Sequence, residues 1–255
     1  MVYINSSIIN LNNSFRNSEQ PPEGDDLEEK QHILRKIIGL LNHIAIHTRP
    51  DILFAVSRLA TNIQYANTEH INDGKYIIKY LKATKDLGLI FSAKVEPILI
   101  GYVDASYLTH HDAKSHSGVC YSLGEGSTAC FFSKSAKQKL VTRSSAEAEL
   151  YALDISVCDI QWFRVLLQFL DNKQKGATKI YEDNMSAMAM ATHDTKPKDC
   201  SKHINMRYNY CKEAIKKKEV YLEHISTGDQ VADVLAKHIP NIANFRRIRA
   251  LYRLY

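Results

Sequence analysis

The hydrophobic rhythm of the chain changes near residue 97. Upstream, "LRKIIGLLNHIAIHT" repeats apolar residues at helical spacing. "RPDILFAVSRLATNIQYA" opens a second helix with Pro50 at its first position, where the missing N–H costs nothing. "HINDGKYIIKYLKATKDLGLIF" predicts a third helix, ended by the region of Gly88. Residues 30–95 therefore read as a small helical module. Residues 1–29 are rich in Asn and Ser and then acidic around Pro-Pro and Gly, the composition of a flexible lead-in.

Downstream the runs shorten. "PILIGYVDAS", "SGVCYSLG" and "TACFFSK" predict strands, broken by Gly124 and Gly126. A long helix follows over "SSAEAELYALDISVCDIQWFRVLLQFL", then a strand "ATKIYED" and a helix "NMSAMAMATH". Beyond a lysine-rich loop come a helix "INMRYNYCKEAIKKK", a strand "EVYLEHIS" and the start of a helix, "DQVADVLAK". That order predicts an α/β fold over 96–240, a mixed sheet with helices on its faces. Residues 241–255, "NIANFRRIRALYRLY", read as a basic C-terminal helix, and no internal repeat interrupts the scheme.

Composition narrows the function classes. A length of 255 residues suits one large or two small domains, and the formal charge of +5 suits either an anionic partner or a solvated basic surface. The five cysteines are scattered, with no CxxC pair and no His/Cys cluster at zinc spacing, which predicts reduced thiols in an intracellular protein. No apolar stretch approaches the roughly 18 residues of a membrane span, so no membrane partner is expected.

Three acids sit where strands end or helices begin. Asp104 follows "LIGYV", Asp183 follows "TKIYE", and Asp233 lies in a first helical turn after "VYLEHI". Strand ends bring side chains to one edge of a sheet, where α/β sites gather. A fourth acid comes from "SSAEAEL", in which Glu147 and Glu149 face different ways on a helix. Ser144 and Glu147 have the S-x-x-E form of a capping box, a structural role. Glu149 shares a stripe with Ala152, Leu153 and Ser156, a face fit to lie against the sheet, whereas Glu147 shares a wetter one with Tyr151 and Asp154. Four convergent carboxylates without Cys or His are ligands for a hard cation, Mg²⁺ or Mn²⁺. Two such ions about 3.5–4 Å apart activate water and stabilise the leaving oxygen of a phosphodiester.

These segments in this order, "GYVDAS", "SSAEAELYAL", "YEDNMSAMA", "SKHINMRY" and "QVADVLAK", resemble the RNase H domain at the end of the pol polyprotein of copia-type retrotransposons. "LRKIIGLLNHIAIHTRPDILFAVSRLA" and "YLKATKDLGLIF" resemble the helical connection that joins polymerase to RNase H there, so the likeness covers roughly residues 30 to 250. It implies an RNase H-like sheet of five strands and two-metal hydrolysis of the RNA strand of an RNA–DNA hybrid. Asp104 matches the family's first metal-ligating acid, Glu149 the helical glutamate before Leu150, Asp183 the third acid and Asp233 the fourth. The location implied is a cytoplasmic transposon particle or the nucleus, with the polymerase part of the polyprotein as a further partner.

Departures and open alternatives accompany this likeness. The paired aspartates of a polymerase site are absent, since "EGDDLEEK" has no hairpin around it, so polymerase activity is not expected. "YLTHHDAKSHSGV" lacks the family's Trp and reads as a surface turn that keeps Lys114 and a Ser117-Gly118 turn. Lys114 and, just before the long helix, Lys134, Lys137, Lys139 and Arg143 either contact hybrid phosphates or solvate a surface. His224 is either a proton shuttle or a strand-end residue, and His203 matches the family's "KHI". Asp229 suits an N-cap or first-turn acid. The competing reading of the whole chain is a catalytically inactive nucleic-acid-binding transposon remnant. An integrase-like transposase is disfavoured because its glutamate comes last among the acids.

Overall fold

A computed structural model describes residues 26–124, 126, 128–192 and 202–255. Most of the expected lead-in, and the lysine-rich loop at 193–201, lie outside the described residues, as does the side chain of His203.

The chain begins with α1 (Leu27–His47), a 3₁₀ turn at Pro50–Ile52 with Pro50 leading it, α2 (Leu53–Ala60) and α3 (Thr68–Ala83). The second helix is shorter than its pattern predicts, because the chain loosens at Thr61 and makes only a 3₁₀ turn at Ile63–Tyr65. Helix α3 starts at Asn67, whose side chain accepts from His70 N while the His70 ring takes the Asn67 N–H, a reciprocal cap. It ends at Thr84, before Gly88.

The sheet contains β1 (Leu99–Ser106), β2 (His116–Leu123), β3 (Cys130–Lys137), β4 (Thr178–Glu182) and β5 (Val220–His224). Its order is β3–β2–β1–β4–β5, with β1, β2 and β3 antiparallel and β4 and β5 parallel to β1. Between and after them come α4 (Ser145–Phe169), α5 (Met185–Thr192), α6 (Lys202–Lys216), α7 (Asp233–Ala236) and α8 (Ile242–Leu251).

Alternation along the strands splits the interior into two clusters. Leu99, Val103, Val119, Tyr121 and Ile180 face Leu150, Leu153, Val157 and Ile160 of α4, with Tyr208 and Cys211 of α6. Ile100, Tyr102, Cys120, Cys130 and Tyr181 face the other way, onto α1, α2, α3, α7 and α8 through Leu34, Val56, Leu59, Ile77, Leu235 and Ile248. Each buried Leu or Ile contributes about 1.5–3 kcal/mol, so the helical segment and the sheet hold one another.

A buried ion pair ties the same helices together. Arg49 grips Asp51 through Nε–Oδ1 and Nη2–Oδ2 at 3.0 and 2.8 Å and donates to the Thr84 carbonyl at 2.9 Å. Tyr80 OH donates to Asp51 at 2.5 Å and accepts from Arg249 of α8 at 3.2 Å. At the far end, Gly88 and Tyr255 exchange backbone hydrogen bonds.

Two local expectations are corrected. Ser117 and Gly118 lie inside β2, not in a turn. The segment before them is no mere surface turn, since His110 and His116 are buried in it.

Candidate metal centre

The antiparallel hairpin carries Asp104 to the end of β1, beside the parallel strand β4 that ends at Glu182. Asp183 follows at once, and Asn184 then caps α5, accepting from Ser186 N and Ala187 N at 3.0 Å each. Glu149 comes from the second turn of α4 and sits 5% exposed against the sheet. Among the described residues, Asp104, Glu149 and Asp183 each offer a carboxylate oxygen, and these lie within 4.8 Å of one another.

The fourth expected acid arrives differently. Asp233 of α7 pairs with Lys237 at 2.8 Å, and the same ammonium lies 3.5 Å from Asp104. Lys237 is thus the counter-ion between the Asp104 and Asp233 carboxylates. Gln230 sets the approach of α7: its Nε2 donates to the Val103 carbonyl at 2.9 Å, and its Oε1 accepts from Ala232 N at 3.2 Å.

Burial governs the charge state. Asp104 is pushed up to about 7, chiefly by burial and further by Asp233 and Asp183, against the pull of Lys237. Glu149 is raised well above the usual carboxylate range by burial, then by Asp104, Glu182 and Asp183. Burial also raises Asp233, opposed by Lys237.

Glu182 was not singled out from the sequence. It is fully buried, its Oε1 accepts from Asn184 N at 2.9 Å, and its Oε2 has no hydrogen-bond partner. Burial raises it well above its usual range, with Asp104 and Asp183 adding to the effect. The signal available was a glutamate closing an apolar central strand. Lys237 was equally readable as an i, i+4 partner of Asp233. A buried cluster of oxygen donors, with Glu149 Oε2 also lacking a hydrogen-bond partner, fits a hard divalent cation.

Glu149 faces the sheet, and two expectations for Glu147 are corrected. Ser144 accepts from Glu147 N at 3.2 Å, but Glu147 Oε2 takes the Arg143 N–H at 2.8 Å instead of closing the box on Ser144. Nor is the face of Glu147 wet: Tyr151 is buried beneath Arg207, whose guanidinium lies 3.9 Å from the ring centroid and pairs with Asp154.

Lys114 and Lys137 both pair with Asp112, at 3.0 and 2.9 Å, and Lys134 pairs with Asp159 at 3.6 Å. Lys139 and Arg143 are exposed beside the start of α4. His224 is an exposed residue at the end of β5. Asp229 is not the N-cap of α7, which is Ala232: it accepts from Ser226 Oγ at 2.7 Å and pairs with Arg247.

A mixed five-stranded sheet with helices on both faces and acids gathered at the ends of β1 and β4 is an RNase H-like fold. No family model matches the chain. It is 32% identical over 216 residues to the retrovirus-related Pol polyprotein from transposon RE2 of Arabidopsis thaliana, covering 84% of this chain and 14% of that protein. It is 30% identical over 219 residues to the corresponding polyprotein from transposon TNT 1-94 of Nicotiana tabacum, covering 84% of this chain and 16% of that one. The chain is homologous to one segment of the Pol polyproteins of copia-type transposons, and spans less than a fifth of their length. Among solved structures, LC11-RNase H1 superposes with a TM-score of 0.42 at 17% identity, over 55% of this chain and 92% of that one. A foamy viral protease-reverse transcriptase in complex with an RNA/DNA hybrid gives 0.45 at 15% identity, over 85% of this chain and 27% of that one.

Proposed function

We propose that the protein is a divalent-metal-dependent ribonuclease H that cuts the RNA strand of RNA–DNA hybrids. The observation that carries this reading is the convergence of Asp104, Glu149 and Asp183 within 4.8 Å in a homologue of that Pol segment. Asp104, Glu149 and Asp183 would hold Mg²⁺ or Mn²⁺, and Asp233 would reach a second ion if the Lys237 ammonium swung aside. Bound there, two such ions supply an activated water and charge stabilisation for the leaving oxygen.

The protein's own residues do the rest. Gln230 fixes the segment bearing Asp233 to β1, and Asn184 fixes Asp183 at the start of α5. Glu182 adds a fifth carboxyl whose unpartnered Oε2 is available to hydrogen-bond a ligand of the site. Exposed Lys139 and Arg143 are the basic candidates for hybrid phosphates. Lys114, Lys134 and Lys137 are further candidates, whose carboxylate partners would have to release them. The polymerase part of the parent polyprotein is the proposed protein partner, and polymerase activity is not proposed for this chain.

The test is cleavage of a labelled hybrid in Mg²⁺ or Mn²⁺, with the matching RNA duplex as control. Wild type should cut the hybrid alone, and Asp183→Asn should lose about a hundredfold or more. Undiminished cleavage by Asp183→Asn refutes the site. A folded wild type that binds the hybrid without cutting it leaves the remnant reading in its place.

A further inference from the structure

A chain of polar side chains, buried as far as the half-buried Ser135, runs from the helical segment to α7. Arg58 of α2 directs Nη1 to His110 Nδ1 at 2.6 Å and to the Thr109 carbonyl at 2.9 Å. His110 Nε2 lies 3.0 Å from His116 Nδ1, and the two rings stack with centroids 5.3 Å apart. His116 Nε2 lies 2.8 Å from Ser135 Oγ, which donates to the Leu235 carbonyl at 2.6 Å. Leu235 belongs to the turn that bears Asp233, and Phe54 of α2 closes the chain edge-on over His116 at 5.0 Å.

The two ends set the direction of every hydrogen. A guanidinium only donates and a carbonyl only accepts. His110 Nδ1 must therefore accept, leaving Nε2–H to donate to His116 Nδ1. His116 Nε2–H then donates to Ser135, whose hydroxyl proton goes to Leu235. Both rings are neutral Nε2–H tautomers. A second proton on either would set donor against donor. Their surroundings agree: burial, then Arg58 and Lys137, hold His110 down at about 3 despite Asp112, and burial with His110, Arg58 and Lys137 holds His116 low.

Helix α7 needs outside support. Four residues cannot sustain a helix alone. Three neighbouring strands supply that support. Ser106 of β1 donates to the Ala236 carbonyl at 2.6 Å, Ser135 of β3 holds Leu235, and on β2 a Cβ at Gly118 would stand 2.7 Å from Ala236 N. Asp104, Gly118 and Ser135 form one cross-strand row, so two of the three contacts that seat α7 lie on the row that bears Asp104, and Ser106 lies two residues further along β1.

We propose that Arg58, His110, His116 and Ser135 are positioning residues that fix the Leu235 carbonyl, and with it the place of Asp233 beside Asp104, coupling the metal site to docking of the helical segment. The inference rests on the proposed role of Asp233 as a ligand.

Two measurements on the full chain test it. Nitrogen NMR of ¹⁵N-imidazole-labelled protein, assigned through His110→Asn and His116→Asn, should show both rings as neutral Nε2–H tautomers at neutral pH. An Nδ1–H tautomer or a charged ring at either position overturns the relay. Ser135→Ala, folded by circular dichroism, should bind Mn²⁺ about tenfold more weakly than wild type, while Ser135→Thr keeps the hydroxyl and the affinity. Equal affinities in all three proteins overturn the positioning role. A wild type that binds Mn²⁺ but leaves the hybrid uncut refutes the nuclease reading alone, since the Ser135 comparison still stands. A wild type that binds no Mn²⁺ overturns both the metal reading and the positioning role.

Discussion

Asp104 is held where its charge is costly, and this gives the residue a measurable signature. Its folded value of about 7 lies above the roughly 3.9 of an unfolded aspartate, so the native state binds the proton more tightly. The resulting contribution to stability is full below about pH 4 and is lost as pH rises through about 7. In chelator at about pH 8, Asp104→Asn should therefore be more stable than wild type, by up to about 4 kcal/mol, with the gap closing toward about pH 4. Excess Mg²⁺ should shrink the advantage, because a bound cation stabilises the ionised form. Denaturant melts with and without Mg²⁺ check this, and an Asn variant no more stable in chelator refutes it. At this scale Asp104, Glu149, Asp183 and Asp233 were legible as candidate ligands, because each lies in a short motif near an element boundary. Glu182 closes β4 and carried a boundary signal too, but its part shows only once packing buries it beside Asp104, Asp183 and Glu149.

At the scale of elements, periodicity served well for the strands and long helices and poorly for α7. "DQVADVLAK" opens a helix of only four residues, and what shapes it is the bed of Ser106, Gly118 and Ser135 on three neighbouring strands. Gly118→Ala should therefore lift α7 from the sheet, since the added Cβ meets backbone at 2.7 and 2.8 Å and backbone cannot rotate away. The expected cost is about 1–3 kcal/mol of stability with weaker Mn²⁺ binding. Calorimetry on the variant checks both, and an unchanged melting point and affinity would show that α7 yields freely. Ser117-Gly118 looked like a turn because a glycine in a polar segment usually marks one. Here the missing side chain makes room for another element.

For the whole molecule, the helical segment and the sheet share one apolar cluster, joined by Leu34, Val56, Leu59 and Ile77 on one side and Ile100, Tyr102 and Cys120 on the other. A chain starting near residue 96, where the sequence suggests a boundary, should expose that face. It should bind a hydrophobic dye and lose its cooperative melt, whereas a sharp transition in the fragment would show that the sheet stands alone. Tyr80→Phe offers a gentler probe. It removes the hydroxyl that links Asp51 to Arg249 and should cost about 1.5–3 kcal/mol, read by denaturant unfolding, because one partner is a charged buried group.

The sequence by itself determined what depends on near neighbours along the chain: the change from helical to strand period near residue 97, the cap at Ser144, Pro50 at a helical start, and the order of the acids. These follow from backbone geometry and side-chain spacing within a few residues. Only the tertiary structure decided which lysines are tied to carboxylates, that Asp229 pairs with Arg247, and that Lys237 stands between Asp104 and Asp233. It alone joined Arg58 to Leu235 through two histidines in what looked like a surface turn. The pairings span up to 133 positions, from Asp104 to Lys237; the buried ones arise because burial leaves a polar atom to find a partner wherever packing has placed one, and the exposed ion pairs follow from which surface segments the fold sets side by side.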